Sequence, residues 1–445
     1  MKVLKFGGTS VGSAERMESV AKLVNHPGHK IVVLSAMSGT TDQLVKIAEA
    51  FLEQLPEKAF PLIKELETKY KATIDKLFKS KEYKKKGEEV LAEHFELLRS
   101  FKPNVFTRKE ERIILAEGEL LSTTLFHYYL EEQEIPAVLF PALSFMRINE
   151  DGEPDHDYIE EHLKKELEKY PHAELFITQG YICRNSFGQV DNLKRGGSDY
   201  TASLIGAVLD AEEIQIWTDI DGMHNSDPRY VPDTFPIAKL SFDEASELAY
   251  FGAKILHPSC IRPAQKRNVP VRLLNTMQPD APGTLISQDA SDDDIKAVAA
   301  KDNITVIKIK STQMLMAYGF MRSVFEVFER YKTPIDMVAT SEVSISLTID
   351  DTTHLEDIMK ELKKYGTVSV DMDQIIICVV GDFLAHKPGC AFRIFETLKE
   401  IPITMISYGG SKINISVIIN GIYKKAALMA LSKGLFPKVK ATANK

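Results

Sequence analysis

The sequence has few cysteines and no excess of positive charge. Its 445 residues include four cysteines, Cys183, Cys260, Cys378 and Cys390, and no two of them have C-x-x-C spacing. A chain of this length has little need of disulfides, so we expect buried thiols in a reducing compartment. Lys and Arg number 55 against 63 Asp and Glu, a formal charge of −8. This argues against nucleic acid or an anionic membrane as a partner, because proteins that bind either usually carry a basic excess.

Long apolar runs and the common phosphate motifs are also missing. The first ten residues lack the apolar core of a signal peptide, and no run approaches the roughly 18 apolar residues of a membrane span. We therefore expect a cytoplasmic protein. Neither G-x-x-x-x-G-K-[ST] nor G-x-G-x-x-G occurs in the chain. A nucleotide site would have to use a different glycine turn.

The composition and periodicity predict a globular α/β protein of two or three domains. Hydrophobic residues make up 44% and charged residues 27%. The order strand, helix, strand over residues 3–36 predicts a right-handed crossover and a parallel sheet. Further strand-like runs at 137–140, 174–180 and 213–217, with helical patterns between them, predict a three-layer α/β domain. Residues 46–101 are rich in Lys, Glu, Leu and Ala and are predicted to be inserted surface helices.

The last third of the chain has a different predicted order of strands and helices. Residues 279–294 are dense in Pro, Gly, Ser and Asp and are predicted to be a linker. Beyond them, a βαββαβ (ferredoxin-like) pattern covers 304–372 and a second covers 374–435. The second pattern lacks its sixth strand, so we hypothesise that residues 295–300 complete it, with one unit inserted into the other. The predicted domains are thus 1–285 and 295–445.

Two glycine turns are candidate anion sites. In the first, Lys5 ends a buried strand and Gly7 and Gly8 precede a helix, which lets backbone amides and the helix N-terminus approach a phosphate. The alternative is an exposed charge at a strand end. In the second, residues 194–199 (KRGGSD) also open a helix, and the Arg195 fork matches a carboxylate. Simple helix capping by Ser198 or Asp199 is the alternative there.

Three further segments carry candidate polar groups. The loop at residues 217–229, WTDIDGMHNSDPR, follows a strand where ligands bind in parallel sheets, although its composition is also typical of a solvated, turn-rich loop. Lys254 is a candidate second cation facing phosphate, whereas His257, before a proline, is predicted to be structural. Glu117 and Glu119 are predicted to open a helix over 120–130, where acidic residues favour the helix dipole.

Seven motifs occur in one order: KFGGTSV, SAMSGTTD, EGELLS, TQGY, RGGSDYT, WTDIDGMHNSDPR and FGAKILHP. Their order and spacing closely resemble aspartate kinase, of the amino-acid kinase superfamily. The resemblance covers essentially the whole chain, because the tandem βαββαβ units look like the paired ACT domains of that family. It implies the amino-acid kinase fold, with ATP and L-aspartate meeting over the carboxyl ends of the sheet strands.

The resemblance also implies site residues, carried over by matching motif. Those of the nucleotide site are Lys5, Phe6, Gly7, Gly8, Thr218, Asp219, His224, Arg229, Lys254 and Ile255. Those of the aspartate site are Thr41, Glu119, Tyr181, Arg195, Gly196, Gly197 and Ser198. Lys5, Asp199 and Lys254 would be catalytic. The family often has tyrosine where this chain has His224, which leaves that contact open.

The chemistry fits these implied roles. The nucleophile is already a carboxylate, so no general base is needed, and catalysis rests on positioning and on neutralising charge. Mg²⁺ would sit mainly on the ATP phosphates and use at most one or two carboxylates, such as Asp199. Arg195 would clamp the α-carboxylate of aspartate, and Glu119 would hold its ammonium group.

The segment SEVSISLTID resembles the lysine-inhibited, single-function group of this family. L-Lysine is therefore the expected effector, bound between ACT units of a homodimer or a dimer of dimers. The implied effector residues are Met314, Gly319, Phe320, Met321, Asp336, Thr340, Ser341 and Glu342. Asp336 and Glu342 would meet its ammonium groups. Ordinary core packing is the alternative for the methionines and Phe320.

Two other functions remain open on the sequence alone. One is a related kinase acting on glutamate, which the RGGSD and EGE pocket would discriminate. The other is a non-catalytic amino-acid sensor that uses only the ACT pair, against which the presence of Lys5, Arg195 and Asp219 argues.

Overall fold

The computed structural model describes residues 1–193, 196–252, 256–288, 295–314, 318–382 and 388–436. The chain divides into two compact units. The first comprises Met1–Met223, Ala238–Phe242 and Leu256–Ala290, and the second comprises His224–Ile237, Asp243–Ile255 and Ser291–Lys445. Among the described residues, no helix is both long and apolar enough to cross a bilayer.

Strands and helices alternate along most of the chain. Up to residue 218 they are β1 (Lys2–Phe6), α1 (Ala14–Val24), β2 (Lys30–Leu34), α2 (Thr40–Leu52), α3 (Pro56–Leu77), α4 (Lys81–Ser100), α5 (Arg108–Glu132), β3 (Val138–Leu139), α6 (His156–Glu168), β4 (Leu175–Gln179), β5 (Ile182–Arg184), β6 (Val190–Asn192), α7 (Gly197–Val208) and β7 (Glu213–Thr218). After it they are β8 (Lys239–Ser241), α8 (Phe242–Tyr250), α9 (Pro258–Arg267), β9 (Val271–Asn275), β10 (Thr284–Ser287), β11 (Ile295–Lys310), α10 (Phe320–Arg330), β12 (Val338–Thr340), β13 (Ser344–Ile349), α11 (Leu355–Leu362), β14 (Thr367–Gly381), α12 (Cys390–Thr397), β15 (Ile403–Ser407), β16 (Asn414–Asn420) and α13 (Lys424–Leu435). Short 3₁₀ helices occur at Pro103–Val105, Ala142–Ser144, Thr312–Met314 and Gly421–Tyr423.

The first unit is built on an eight-stranded sheet with the order β3-β4-β2-β1-β7-β9-β10-β8. All its pairs are parallel except β9 with β10, which confirms the predicted mainly parallel α/β fold. Strand β1 lies between β2 and β7, and β2 lies between β1 and β4. The carboxyl ends of these four strands therefore share one sheet edge, and Gly7, Ser35, Gly180 and Asp219 follow directly at that edge.

The helix that carries Glu117 and Glu119 begins earlier than the sequence analysis predicted. Helix α5 starts at Arg108, after a capping box in which Thr107 and Glu110 satisfy each other's backbone amides. The prediction that the two glutamates open a helix is therefore wrong. Both lie in the middle of α5, and each is only 3% exposed.

The predicted linker also contains a strand. Residues Thr284–Ser287 form β10, which pairs with β9 on one side and β8 on the other. Thr284 and Ile286 are fully buried, so their alternation with more exposed neighbours outweighs the turn-forming composition around them. The linker prediction is wrong at these four positions, and residues 289–294 lie outside the described residues.

The second unit contains a six-stranded antiparallel sheet with the order β12-β13-β11-β14-β16-β15. Helices α10–α13 alternate with its strands, and this confirms the predicted pair of ACT-like βαββαβ units. Residues predicted as separate strands form single long strands, because β11 and β14 each run through both ACT-like units. Asn303 and Asp373 adopt positive φ, 58° and 55°, where each long strand passes from one unit to the other. Residues 295–300 pair with the part of β14 that belongs to the second ACT-like unit.

Candidate active site

The first glycine turn is held tightly against the end of the sheet. The Gly7 N–H donates to the carbonyl of Trp217 at 3.2 Å, and the ring of Phe6 stacks on the ring of Trp217 with centroids 5.7 Å apart. A Cβ on Gly8 would lie 2.8 Å from the backbone oxygen of Ala36, so no larger residue fits without a shift. The turn therefore brings backbone, rather than side chains, to the sheet edge, as phosphate binding requires.

The second glycine turn begins α7 at the same edge. Gly196 occupies the helix N-cap with a φ of 78°, and no side chain caps this helix. The capping alternative for Ser198 and Asp199 is therefore wrong. A Cβ on Gly197 would lie 2.7 Å from Cδ2 of Tyr181, and Ser198 Oγ lies 2.9 Å from Ser35 Oγ. Because of these contacts, the N-terminus of α7 packs directly on the residues that follow β2 and β4.

An ion pair joins the two turns. Lys5 Nζ lies 2.6 Å from Asp199 Oδ1, and only 12% and 16% of the two side chains is exposed. Lys5 leaves the strand just before the first turn, and Asp199 stands in the first turn of α7. The ion pair therefore orients the Lys5 side chain from the first glycine turn towards Asp199 of the second.

Glu119 places a buried carboxyl group beside these turns. Its Oε1 accepts a hydrogen bond from the Ala36 N–H at 3.1 Å, whereas Oε2 is buried and has no hydrogen-bond partner among the described residues. Burial raises the pKa of Glu119 to about 8, against the lowering effects of the Ala36 N–H and of Lys5. A buried polar atom normally has a partner, so Oε2 is available to form a hydrogen bond with a ligand.

Gly8, Glu119 and Gly197 line one cleft of about 520 Å³, whereas Lys5 and Asp199 are not among its lining residues. Its lining residues are Gly8, Thr9, Ser35, Ala36, Met37, Ser38, Gly39, Thr41, Asp42, Glu119, Tyr181, Gly197, Ser198, Thr218 and Asp219. The structure thus brings residues predicted for the nucleotide and residues predicted for the amino acid to the same space. Sequence reasoning missed Ser35, Ser38 and Asp42 as lining residues. The signal for them was the SAMSGTTD motif, which directly follows the predicted strand β2.

Other predicted site residues lie elsewhere or outside the described residues. His224 and Arg229 belong to the second unit, where His224 Nδ1 lies 2.8 Å from Thr234 Oγ1. The guanidinium of Arg229 pairs with Asp227 at 2.7 Å, and the Arg229 side chain is 69% exposed. Arg195, Lys254 and Ile255 lie outside the described residues. His257 is the N-cap of α9, as predicted for a structural histidine.

The predicted effector residues lie in the second unit, and two groups of them differ in environment. Met314, Phe320 and Met321 pack partly buried against an apolar core, and Gly319 is the N-cap of α10 with a φ of 82°. Thr340, Ser341 and Glu342 are exposed. The Asp336 side chain is only 2% exposed and pairs with Lys301 at 2.7 Å. Lys301 contacts Oδ1 of Asp336, whereas Oδ2 is buried and has no hydrogen-bond partner among the described residues.

Comparison with known proteins finds relatives that match nearly the whole chain. A model of the amino acid kinase family matches residues 1–275, and an ACT domain model matches residues 377–435. The chain is 37% identical to aspartokinase 3, chloroplastic, of Arabidopsis thaliana, over 98% of this chain and 81% of that protein. It is 32% identical to lysine-sensitive aspartokinase 3 of Escherichia coli, over 98% and 99% of the two chains.

The fold agrees with solved structures of the same kind. The crystal structure of E. coli aspartokinase III in complex with aspartate and ADP (R-state) superposes with a TM-score of 0.85 at 32% identity, covering 98% of this chain and 100% of that one. The complex of the same enzyme with lysine and aspartate (T-state) gives 0.80, also at 32% identity, covering 98% and 99% of the two chains.

Proposed function

The chain belongs to the amino acid kinase family, as an aspartokinase, and on this premise we propose how its cleft carries out the reaction. The protein phosphorylates the side-chain carboxylate of L-aspartate with ATP and yields 4-phospho-L-aspartate and ADP. The observation that carries the proposal for the site is the unpartnered Oε2 of Glu119, which lines the same cleft as the Gly8 turn. That oxygen would accept the α-ammonium group of aspartate.

The remaining contacts of aspartate follow from this anchor. Thr41, Tyr181 and Ser198 line the cleft around Glu119, so they would surround the bound amino acid. In this proposal the Gly196-Gly197 turn and Arg195 receive the α-carboxylate, because a helix N-terminus and a guanidinium both favour an anion. The side-chain carboxylate would then point towards the Gly7-Gly8 turn.

The nucleotide would approach along β1 and β7. Its terminal phosphate would accept hydrogen bonds from the Gly7-Gly8 backbone and the positive charge of Lys5, with Thr218 and Asp219 nearby. His224, Arg229, Lys254 and Ile255 remain part of the proposed nucleotide site by resemblance. A new bond forms between an aspartate carboxylate oxygen and the γ-phosphorus. The bond from that phosphorus to the bridging oxygen breaks, and ADP leaves with its electron pair.

The donor set also fits a magnesium ion carried by the nucleotide. Among the described residues, no group of three or more His, Cys, Asp or Glu side chains could form a metal cage. Mg²⁺ does not need one, since it is usually held by phosphates, waters and one or two carboxylates. Asp199, which pairs with Lys5, would be a carboxylate for that role. When bound, the ion would neutralise phosphate charge.

The proposal extends to regulation and assembly. L-Lysine would inhibit the enzyme through the ACT-like unit, by analogy with the lysine-sensitive relative. The chain would act as a homodimer or a dimer of dimers, which would cover exposed apolar side chains on the end strands, such as Val338 (39% exposed) and Ile406 (46% exposed). A cytoplasmic location agrees with the four cysteines, all of which are described, buried and outside any disulfide.

The overall function has a direct test. With ATP, Mg²⁺ and hydroxylamine, the purified protein is expected to form the hydroxamate of aspartate, because the acyl phosphate product is trapped by that nucleophile. Glutamate in place of aspartate is the matched control and is expected to give no product above background. Added L-lysine, compared with threonine and methionine, is expected to lower the rate. Turnover of glutamate instead of aspartate, or no ATP-dependent turnover, would reject the proposed reaction.

The raised pKa of Glu119 predicts a pH dependence of substrate binding. Below about pH 8 the free carboxyl group is protonated, and it must lose that proton to pair with an ammonium group. The kcat/KM for aspartate is therefore expected to rise by roughly tenfold or more from about pH 6.5 to about pH 8.5. Initial rates at subsaturating aspartate measure this slope. The slope should vanish in Glu119→Gln, and its persistence there would assign it to another group.

A further inference from the structure

Lys69, on the inserted helix α3, reaches the rim of the cleft. Its ammonium group donates a hydrogen bond to the backbone carbonyl of Ser38. Ser38 and Gly39 both line the cleft, and a Cβ on Gly39 would lie 3.9 Å from Lys69 Nζ. An element that the sequence identified only as a surface insertion therefore supplies a cation next to the substrate space.

Lys69 is partly buried and has no acidic partner among the described residues, whereas two other lysines of the insertion each have one. Lys71 pairs with Glu67 at 3.0 Å, and Lys86 pairs with Glu82 at 3.2 Å. Within the part of the chain that the structure describes, no carboxylate lies within ion-pair distance of Lys69. Partial burial lowers the pKa of the Lys69 ammonium, since desolvation disfavours its charge. A partly desolvated cation without a counterion is costly, unless an anion arrives with the substrates.

The contacts of Ser38 connect Lys69 to the phosphate side of the cleft. The Ser38 N–H donates to the carbonyl of Gly8 at 3.1 Å, while the Ser38 carbonyl accepts from Lys69. One peptide segment thus links the ammonium group to the Gly7-Gly8 turn. A nucleotide at that turn would bring several negative charges. Their field would act on the Lys69 ammonium group, because electrostatic interactions are stronger in a cleft that partly excludes water.

We infer that Lys69 is a positioning residue for phosphoryl transfer, which holds the Ser38 segment and compensates the negative charge that ATP brings to the Gly7-Gly8 turn. This inference rests on the proposed function of the cleft. Lys69 does not touch the reacting atoms; its positive charge acts from the rim and through Ser38. The role needs the charge as well as the hydrogen bond.

Three substitutions separate charge from hydrogen bonding. Lys69→Met removes both, Lys69→Gln keeps a donor without the charge, and Lys69→Arg keeps both. Lys71→Met, two residues along the same helix, is the matched control, because the Lys71 side chain is exposed and pairs with Glu67. We expect Lys69→Met and Lys69→Gln to lower kcat by at least about tenfold with the KM for aspartate changed by less than about twofold. Lys69→Arg should restore most of kcat, and Lys71→Met should resemble the unmodified protein.

Steady-state kinetics with ATP and aspartate varied in turn, together with thermal unfolding, decide the matter. Full kcat in Lys69→Gln would overturn the inference, because a donor alone would then suffice. A rise in the KM for aspartate without a fall in kcat would also overturn it. If Lys69→Met does not fold, the Gln and Arg variants still decide. Failure of the unmodified protein to phosphorylate aspartate would reject the proposed function instead, and so the two failures are distinguishable.

Discussion

Lys5→Met is expected to lower kcat by about 10²- to 10³-fold, which corresponds to about 3–4 kcal/mol of transition-state stabilisation. The lysine stands at the end of β1 and is oriented by Asp199 at 2.6 Å. In the proposed reaction its charge opposes the negative charge on the transferring phosphoryl group, and no side chain of similar reach replaces it among the described lining residues. Rapid hydroxamate assays at saturating ATP and aspartate measure the effect.

The control for this substitution is Lys2→Met, at the exposed other end of the same strand. It should leave kcat unchanged. Because Lys5→Met leaves the carboxylate of Asp199 without its cation, some loss of thermal stability is expected. The double variant Lys5→Met/Asp199→Asn removes that unpaired charge. The double variant tests thermal stability alone, because Asp199 is itself proposed to be catalytic. A low kcat in folded Lys5→Met supports the catalytic role of Lys5. Near-normal kcat in folded Lys5→Met would contradict it.

Glu119→Gln is expected to lower kcat/KM for aspartate by about 10²- to 10³-fold, mostly through KM, because a buried charged contact to the substrate ammonium is lost. Glutamine has nearly the same shape, and so the hydrogen bond from the Ala36 N–H can be kept. The free protein should not lose stability, since the neutral side chain replaces a carboxyl group whose pKa is already raised by burial. Aspartate titrations at saturating ATP separate KM from kcat.

Glu117→Gln is a close control for Glu119→Gln. The two glutamates lie two residues apart on α5 and are equally buried, but Glu117 contacts His94 and does not line the cleft. Its substitution is expected to alter thermal stability while leaving the KM for aspartate within about twofold. An equal rise in KM for both variants would show that any disturbance of α5 suffices, and the ammonium contact would lose its support.

Much of the architecture could be predicted from the sequence because it depends on local signals. The apolar run 30–36 and the glycines after residue 6 predict a buried strand of a parallel sheet and a phosphate turn. The structure contains a buried parallel strand at Lys30–Leu34 and a tight glycine turn after residue 6. Helix α5 shows where local prediction fails. The predicted start at Glu117 is wrong, because the Thr107–Glu110 capping box begins the helix at Arg108. Strand β10 was hidden by the turn residues on both sides of it.

By itself, the sequence determined the order of motifs, the alternation of strands and helices and hence the family, because these are properties of neighbouring residues. Only the tertiary structure decided which charges are buried and which of them have partners. The contacts of Lys5 with Asp199, Glu119 with Ala36 and Lys69 with Ser38 all join residues that are far apart in the chain. Burial and ion pairing depend on how such distant segments pack, and no local pattern encodes that packing.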